Sequence, residues 1–355
     1  YVAFAKWIRS WRDLPIKLNQ WCNVVRWDTK GTKLFLRTRE FLWQEGHTAH
    51  ATKEEADKEV MEILNEYRDL MENYLAIPVL AGRKSESEKF PGALYTATLE
   101  AIMPDGKALQ MATSHNLGQN FSKVFNIKFM GKDEKEHYVW QTSWGISTRI
   151  IGAIVMVHGD DRGLIIPPKI APVQAVIIPI PYKGFEEAIL SKVKGLAEGL
   201  KREGFTVEVD LREKYTPGSK FYEWELRGVP VRVEIGPRDL ENHTVTLVRR
   251  DSLERLTVPE AEAAQALRQV LGEIHEALKA RAYEEFHGRI RRLKSLGEAQ
   301  AVIEEAGGRP PGILELPWCG REKCGVGMEE ELGLKALGTP YPEEPLENAC
   351  CALCG

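Results

Sequence analysis

Residues Arg26 to His50 read RWDTKGTKLFLRTREFLWQEGHTAH and hold the densest set of chemistry-bearing side chains in the sequence. Two arginines, Arg26 and Arg37, flank a short polar turn containing glycine (Thr29 to Lys33). Side chains alternate along an extended chain, so Phe41, Trp43, Glu45 and His47 share one face, and Leu42, Gln44, Gly46 and Thr48 the other. Two aromatics, a carboxylate and an imidazole pack poorly but suit the floor of a small polar ligand site. Taken alone, the stretch also fits an aromatic-rich core strand. His47 and His50 point to opposite faces of such a strand, which disfavours a shared metal.

A second candidate is GKALQMATSHNLG (106–118), read as a strand followed by a polar loop in which Gln110, Thr113 and His115 concentrate donors and acceptors. Ser114 and His115 are adjacent, so their side chains diverge and do not make a nucleophile–base pair. The third is SWGISTRIIGAIVMVHGDDRGLIIPP (143–168), where Ser147 and Arg149 precede an almost wholly apolar run. Residues 148–159 predict an element buried on both sides. Asp160 and Asp161 read as a solvated turn.

A fourth candidate lies at the end of the chain. Five of the six cysteines fall between Cys319 and Cys354. Cys319-x4-Cys324 and Cys351-x2-Cys354 make two short-spaced pairs with 26 residues between them, and Cys350 is a spare. Four thiolates can close a tetrahedral structural zinc site. Such clustering suits a metal better than a disulfide framework and points to a reducing, cytoplasmic compartment. Cys22 reads as a small core residue.

These residues need elements to position them. Residues 21–50 carry a strand signal. Thr52 with Glu55 has the spacing of a capping box, opening an amphipathic helix over 53–76 that Pro78 ends. From 92 to 141, short β-like runs alternate with turns such as PDGK. A boundary falls near Pro167 to Pro172. Beyond it the spacing predicts strand 174–180, a helix carrying Phe185, Ile189, Val193, Leu196 and Leu200 with Gly204 behind it, strand 205–210, helix 220–228 and strand 229–236. That alternation is a compact α/β domain with a partly parallel sheet. On the last strand Val231, Val233 and Ile235 face the core, leaving Arg232 and Glu234 outward. A charged helical segment (259–295) leads into the cysteine-rich tail.

The stretch from Arg26 to His50 resembles the second signature motif of class II aminoacyl-tRNA synthetases. More narrowly, LRTREFLWQEGHTAH resembles prolyl-tRNA synthetases of the archaeal and eukaryotic type. Residues 143–168 resemble the third class II motif, and TPGSKFYEWELRGVPVRVEIGPRDL (216–240) resembles the family's anticodon-binding domain. The resemblance implies ATP binding by Arg26, Asp28, Arg37, Phe41, Gln110, Thr113, Ser147 and Arg149, with Arg26 and Arg149 as the catalytic arginines, Arg26 at the α-phosphate and Arg149 over the adenine opposite Phe41 or at the γ-phosphate. It implies proline binding by Trp43, Glu45, His47 and His115, with Trp144 and Gly145 shaping the pocket wall. Glu225, Arg232, Arg238 and Asp239 would touch the anticodon of tRNA(Pro), and Cys319, Cys324, Cys351 and Cys354 would hold structural Zn2+. Asp28 stands where the family has Glu, and Leu34 where it has Pro.

The implied architecture is multidomain, α/β and α+β. A class II antiparallel-sheet catalytic domain spans 1–172, an α/β anticodon-binding domain 173–275, and a small zinc-binding α+β domain 276–355. The implied reaction activates L-proline with ATP and Mg2+, then charges tRNA(Pro). A related class II enzyme for another small amino acid such as threonine, or a non-catalytic RNA-binding accessory protein on the same scaffold, are the alternatives. Family members carry, ahead of the position of Tyr1, a first class II motif used in dimer formation and a Thr/Glu loop for the proline amine. The complete protein is therefore expected to be a homodimer, and this stretch alone to be inactive. Between the second and third motifs there is no room for a separate hydrolytic domain, so misactivated alanine or cysteine would not be cleared in cis.

Composition sets bounds on these readings. At 355 residues with 43% hydrophobic and 28% charged residues, the chain is of ordinary globular make-up. No apolar run reaches the roughly 20 residues that a membrane span needs. A formal charge of -4 excludes grip on RNA by bulk electrostatics. Between Lys201 and Arg255 there are 11 Lys/Arg and 11 Asp/Glu, a balance that suits base reading or a surface ion-pair network, not a phosphate stripe.

Overall fold

Period-two patterning near the start of the chain folds as long strands. The computed structural model describes residues 1–343, 346 and 349–355. They form two compact units: Tyr1–Met71 with Pro78–Ala153 and Glu285–Gly355, and Glu72–Ile77 with Ile154–Glu284.

In the first unit, α1 (Val2–Trp7) leads to β1 (Ile16–Val25), which pairs antiparallel with β2 (Glu40–His50). Thr52 then opens α2 (Lys53–Asp69). Its hydroxyl accepts from the Glu55 N–H at 3.2 Å, and the Glu55 carboxylate accepts from the Thr52 N–H at 3.2 Å, which completes the expected capping box. The α-helix stops at Asp69, and a single wider π turn over Leu70–Tyr74 carries the chain on. Ala56, Val60, Leu64 and Tyr67 are buried, and the Tyr67 hydroxyl donates to Gln44 on the back face of the sheet at 2.6 Å.

The chain returns through β3 (Leu80–Arg83), β4 (Tyr95–Ile102) and β5 (Ala108–Gly118), then α3 (Asn120–Val124), the hairpin β6 (Lys128–Met130) and β7 (Glu136–Tyr138), and β8 (Trp140–Ser147). β8 inserts between β2 and β5, giving the antiparallel order β1-β2-β8-β5-β4-β3. That insertion puts residues about a hundred positions apart into common cross-strand rows. The expected polar loop after residue 110 is instead one continuous strand. Next comes α4 (Arg149–His158). It is buried on one face only: Gly152, Ala153 and Ile154 are covered, while Ile151 and Val155 are exposed. A helix distributes an apolar run around its axis, so the run did not require burial on both sides.

The second unit contains β9 (Ala175–Pro179), α5 (Glu186–Arg202), β10 (Val207–Val209), α6 (Pro217–Arg227), β11 (Val231–Ile235), α7 (Pro237–Glu241), β12 (Thr244–Arg249), β13 (Arg255–Pro259) and most of α8 (Ala263–His287). Its sheet runs β10-β9-β11-β12-β13, parallel among the first three strands and antiparallel beyond. Ala175, Ile177, Val231, Val233 and Ile235 form its core with Ile189, Val193, Leu196 and Leu200 of α5. Gly204 takes the left-handed conformation (φ 89°) behind α5, as a helix-ending glycine should.

The tail builds β14 (Ile290–Arg292), α9 (Leu296–Glu305), β15 (Ile313–Glu315), α10 (Glu322–Leu332) and β16 (Thr339–Pro340). β16 pairs with β3, so the tail supplies the seventh strand of the first unit's sheet. Ile102, Phe286 and Ile313 pack together beneath it.

Candidate active site

Directly opposed residues share a face of a sheet, so the pairing register assembles the site. One row reads Glu45–Gly145–Thr113–Thr98, and the next reads His47–Ser143–His115–Thr96. Trp43 lies opposite Ser147, with Phe41 two residues further along the same face. A β-bulge between β4 and β5 pairs Gln110 with Glu100 and Ala112 with Leu99, leaving Met111 as the extra residue. Simple alternation would send Gln110 to the back of the sheet. The bulge returns it to the face of Thr113 and His115. The expected pocket residues thus converge on one half-buried face.

Trp144 does not join them. It points to the other face, where its ring lies over Gly46: a Cβ built at Gly46 would meet the ring at 2.2 Å. Gly145 is the member of the pair on the site face, and a Cβ there would meet the Gln44 carbonyl oxygen at 2.8 Å. The backbone is therefore bare between Glu45 and Thr113.

At one end of the face stand the arginines. Arg149, at the start of α4, donates from Nε to the Leu36 carbonyl at 3.1 Å and from Nη1 to the Gln110 carbonyl at 3.2 Å. The Ser147 hydroxyl oxygen accepts from the Arg149 backbone N–H at 3.4 Å. Burial lowers the Arg149 pKa; the Glu100 carboxylate opposes this, while Arg26 and Arg37 add to it through their like charge. The three guanidiniums therefore lie within electrostatic reach of one another. The Arg26 guanidinium sits 5.3 Å from the Phe41 ring centroid, and Phe41 meets Trp43 edge-on at 5.7 Å. Among the described residues no carboxylate forms an ion pair with any of the three. Such a cluster is an anion site. Asp28 lies exposed in the connection that carries Arg26 and Arg37.

At the other end is an aromatic-walled polar nook. His47 Nε2 is 3.0 Å from Glu45, and its Nδ1 is 2.9 Å from the Tyr1 hydroxyl. Gln20 donates to the other Glu45 oxygen at 2.7 Å. Burial raises the Glu45 pKa, but hydrogen bonding and charge from His47, with Gln20 and Arg26, outweigh it and keep the carboxyl ionised. His115 is 2.8 Å from the Thr96 hydroxyl. Burial and the neighbouring His47 push its pKa down to about 4, so it is neutral near pH 7. Phe90 and Phe121 stand beside His115 and Tyr1.

Tyr1, Thr96, Phe90 and Glu100 were not singled out in the sequence. Glu100 is buried and accepts from Thr98 at 2.9 Å and from Lys84 at 2.8 Å. The signal available was a lone charge inside the apolar strand TATLEAI. Gln141, fully buried one row deeper on the same face, has no protein partner for either amide atom.

The four thiols of Cys319, Cys324, Cys351 and Cys354 have their sulfurs within 4.8 Å of one another. Cys319 and Cys354 are 3.9 Å apart. Tetrahedral zinc with bonds of about 2.3 Å places its sulfurs about 3.8 Å apart, so the cluster fits that ion. Burial raises the Cys351 pKa, but backbone N–H groups of Cys354, Leu353 and Cys319 outweigh it and hold the thiol at about 6. Cys350 is exposed and outside the cluster.

In the second unit the expected base-reading residues separate into two groups. Glu225 is buried and accepts from Arg232 at 2.7 Å and Arg162 at 3.2 Å. Arg232 also donates to Glu234 at 2.9 Å. Glu234 is not outward as expected: it is 3% exposed because Arg232 and Arg255 cover its carboxylate. Arg238 and Asp239 lie beyond the end of β11, Arg238 exposed and Asp239 accepting from the Gly236 N–H at 2.9 Å. Asp160 is not a free turn residue either. Both its oxygens accept from the buried Arg250, at 2.6 and 2.8 Å.

With this geometry in hand, similarity becomes informative. Residues 1–158 match the tRNA synthetase class II core domain (G, H, P, S and T), and residues 174–270 match the anticodon binding domain. The chain is 49% identical over 356 residues to a proline--tRNA ligase of Cenarchaeum symbiosum (strain A), covering 100% of this chain and 73% of that protein. The chain belongs to the proline--tRNA ligase family. It is also 48% identical to the family's members in Natranaerobius thermophilus and Pyrococcus horikoshii, covering 71% and 74% of those proteins and 99% and 100% of this chain. The class II core and the anticodon-binding domain foreseen from the motifs are thus both present, the former on an antiparallel sheet.

Proposed function

We propose that the protein activates L-proline with ATP and transfers it to tRNA(Pro). The observation that carries this reading is the single sheet face on which three arginines without acidic partners adjoin a nook built around an ionised Glu45. In the first step a proline carboxylate oxygen attacks the α-phosphorus, and the bond to pyrophosphate breaks. In the second the terminal ribose hydroxyl of the tRNA attacks the prolyl carbonyl and AMP leaves. Arg26 offsets charge growing at the α-phosphate, Arg37 holds the terminal phosphates, Phe41 stacks on the adenine, and Arg149 covers the adenine from the opposite side or pairs with the γ-phosphate. Asp28, Gln110, Thr113 and Ser147 complete the nucleotide contacts. Magnesium enters with the triphosphate, as a hard ion held largely by phosphate oxygens. Catalysis then rests on positioning and preorganised charge, with no covalent nucleophile.

On the same reading Trp43, Glu45, His47 and His115 hold proline, the carboxylate of Glu45 facing its ammonium. Residues 173–275 read the anticodon through Glu225, Arg232, Arg238 and Asp239. Residues 276–355 carry a structural zinc on the four thiolates, with no ligand position open for water. Homodimerisation is supported by exposed apolar side chains on the back of the first two strands, Trp21 (78%), Val25 (63%) and Leu42 (62%). The clustering of cysteines as a metal-binding set supports a reducing, cytoplasmic compartment. Among the described residues no helix is long and apolar enough to cross a membrane.

Pyrophosphate exchange by the full-length protein tests the assignment. Exchange that depends on proline and not on threonine is expected, with weaker exchange on alanine. Threonine-dependent exchange, or none with any amino acid, overturns it. Zinc is tested by metal analysis: one ion per chain, lost in Cys351→Ser.

A further inference from the structure

Tyr1 lies outside every motif discussed above, yet it closes a relay across the nook. Its hydroxyl is 2.9 Å from His47 Nδ1, His47 Nε2 is 3.0 Å from Glu45, and Gln20 donates to Glu45 at 2.7 Å. The Tyr1 ring is held in place by Phe4, Phe121 and Phe125, with centroids 5.6 to 5.8 Å away, and it meets the His47 ring edge-on at 5.4 Å.

The proton inventory along this chain has one solution for a neutral imidazole. An ionised carboxylate only accepts, so the Nε2 facing Glu45 must carry the hydrogen. A neutral ring has one N–H, so Nδ1 is bare and accepts from the tyrosine. Burial raises the Tyr1 pKa above its ordinary value, with Glu45 adding to the effect, so the phenol keeps the proton it donates.

We infer that Tyr1 is a positioning residue for substrate specificity: by donating to His47 Nδ1 it fixes the neutral Nε2–H form of His47, which holds Glu45 oriented toward a cationic secondary amine. This rests on the reading of this face as the proline site. The charged and titratable groups around His47 are few. Glu45 lies on its own strand, His115 on β5 beyond Ser143 of β8, and Tyr1 on the segment opening α1. On β1, Leu18 is opposite His47 and Gln20 is opposite Glu45. Arg26 acts on Glu45 from further along the face. Without the Tyr1 hydroxyl, nothing fixes which nitrogen carries the hydrogen, and a ring with its hydrogen on Nδ1 turns a bare Nε2 toward the Glu45 carboxylate and no longer holds it in place.

Tyr1→Phe keeps the ring and removes only the hydroxyl. In the full-length protein we expect the proline KM in pyrophosphate exchange to rise about 5- to 10-fold, the loss of one hydrogen bond. The ATP KM and kcat should stay within about twofold. Nitrogen-15 spectra of histidine-labelled protein should show His47 with its hydrogen on Nε2. In the variant His47 should also populate the Nδ1–H form. An unchanged proline KM, or a neutral wild-type His47 with its hydrogen on Nδ1 instead, overturns the inference. Absence of proline-dependent exchange in the wild type would instead defeat the functional reading, and the tautomer would still be readable.

Discussion

The arginines of the two units carry the same side chain into opposite settings. In the class II core, Arg26, Arg37 and Arg149 crowd one another, and Arg149 is held by backbone carbonyls. In the anticodon-binding unit Arg212, Arg232, Arg249, Arg250 and Arg255 are each matched to a carboxylate. Arg149 is half-buried without an ion pair, and the like charge of the exposed Arg26 and Arg37 adds to the cost of its burial, a setting that an anionic ligand relieves. Matched guanidiniums have already spent their charge inside the fold. The contrast sets charge left open for a ligand against charge that already serves the fold, so Glu225 and Arg232 would offer a base a pre-set ion-pair edge, whereas Arg238 is exposed outside that network.

The largest effect should follow from breaking the first set. Arg149→Ala is expected to lower kcat/KM for proline-dependent exchange by roughly 10²- to 10³-fold, as for removal of one preorganised donor from a reacting centre. Arg149→Lys should recover little, because an ammonium cannot reach the Leu36 and Gln110 carbonyls in fork geometry. Steady-state exchange kinetics decide it. A loss under about fivefold would mean that the cluster is not the phosphate site.

The second set should respond in stability. Glu225→Ala leaves Arg232 with Glu234 alone and Arg162 without its acceptor, and should cost about 3 kcal/mol in urea unfolding. Arg238→Ala should leave unfolding unchanged and raise the KM for tRNA about tenfold in aminoacylation, with exchange unaffected. If Glu225→Ala unfolds like the wild type and only tRNA binding suffers, the division between spent and available charge fails in this unit.

How far these settings could be read from sequence depends on the range of the interaction. Thr52 with Glu55, the alternating face from Phe41 to His47 and the glycine after α5 are local signals and appear where expected. Gln110 with Thr113 and His115 looked like irregular spacing because the bulge that aligns them is a property of pairing with β4. Glu234 and Asp160 were misread for the same reason. Beside the nearby Arg232, the Glu234 carboxylate is covered by Arg255, 21 residues away, and Asp160 by Arg250, 90 residues away, and these two leave no trace in the local pattern. Tyr1 was missed because nothing near it in the chain reports His47, 46 residues on.

The smallest effect belongs to Asp160, whose side chain is 37% exposed while Arg250 is 2% exposed. Hydrogen bonds from Arg250, opposed in part by burial and aided by the Arg162 N–H, hold the Asp160 carboxyl down to about 2. A carboxyl depressed on folding stabilises above its unfolded value, near 3.8, and that stability is lost as pH falls toward 2. Solvent screening of the exposed partner limits the contribution, so Asp160→Asn should cost about 1 kcal/mol at pH 7. The gap between wild type and variant in urea unfolding should hold from pH 7 to 5 and narrow between pH 4 and 3. A gap that persists undiminished at pH 3 would assign the loss to shape or hydrogen bonding, and Asp160 would leave the set of residues whose charge is already matched.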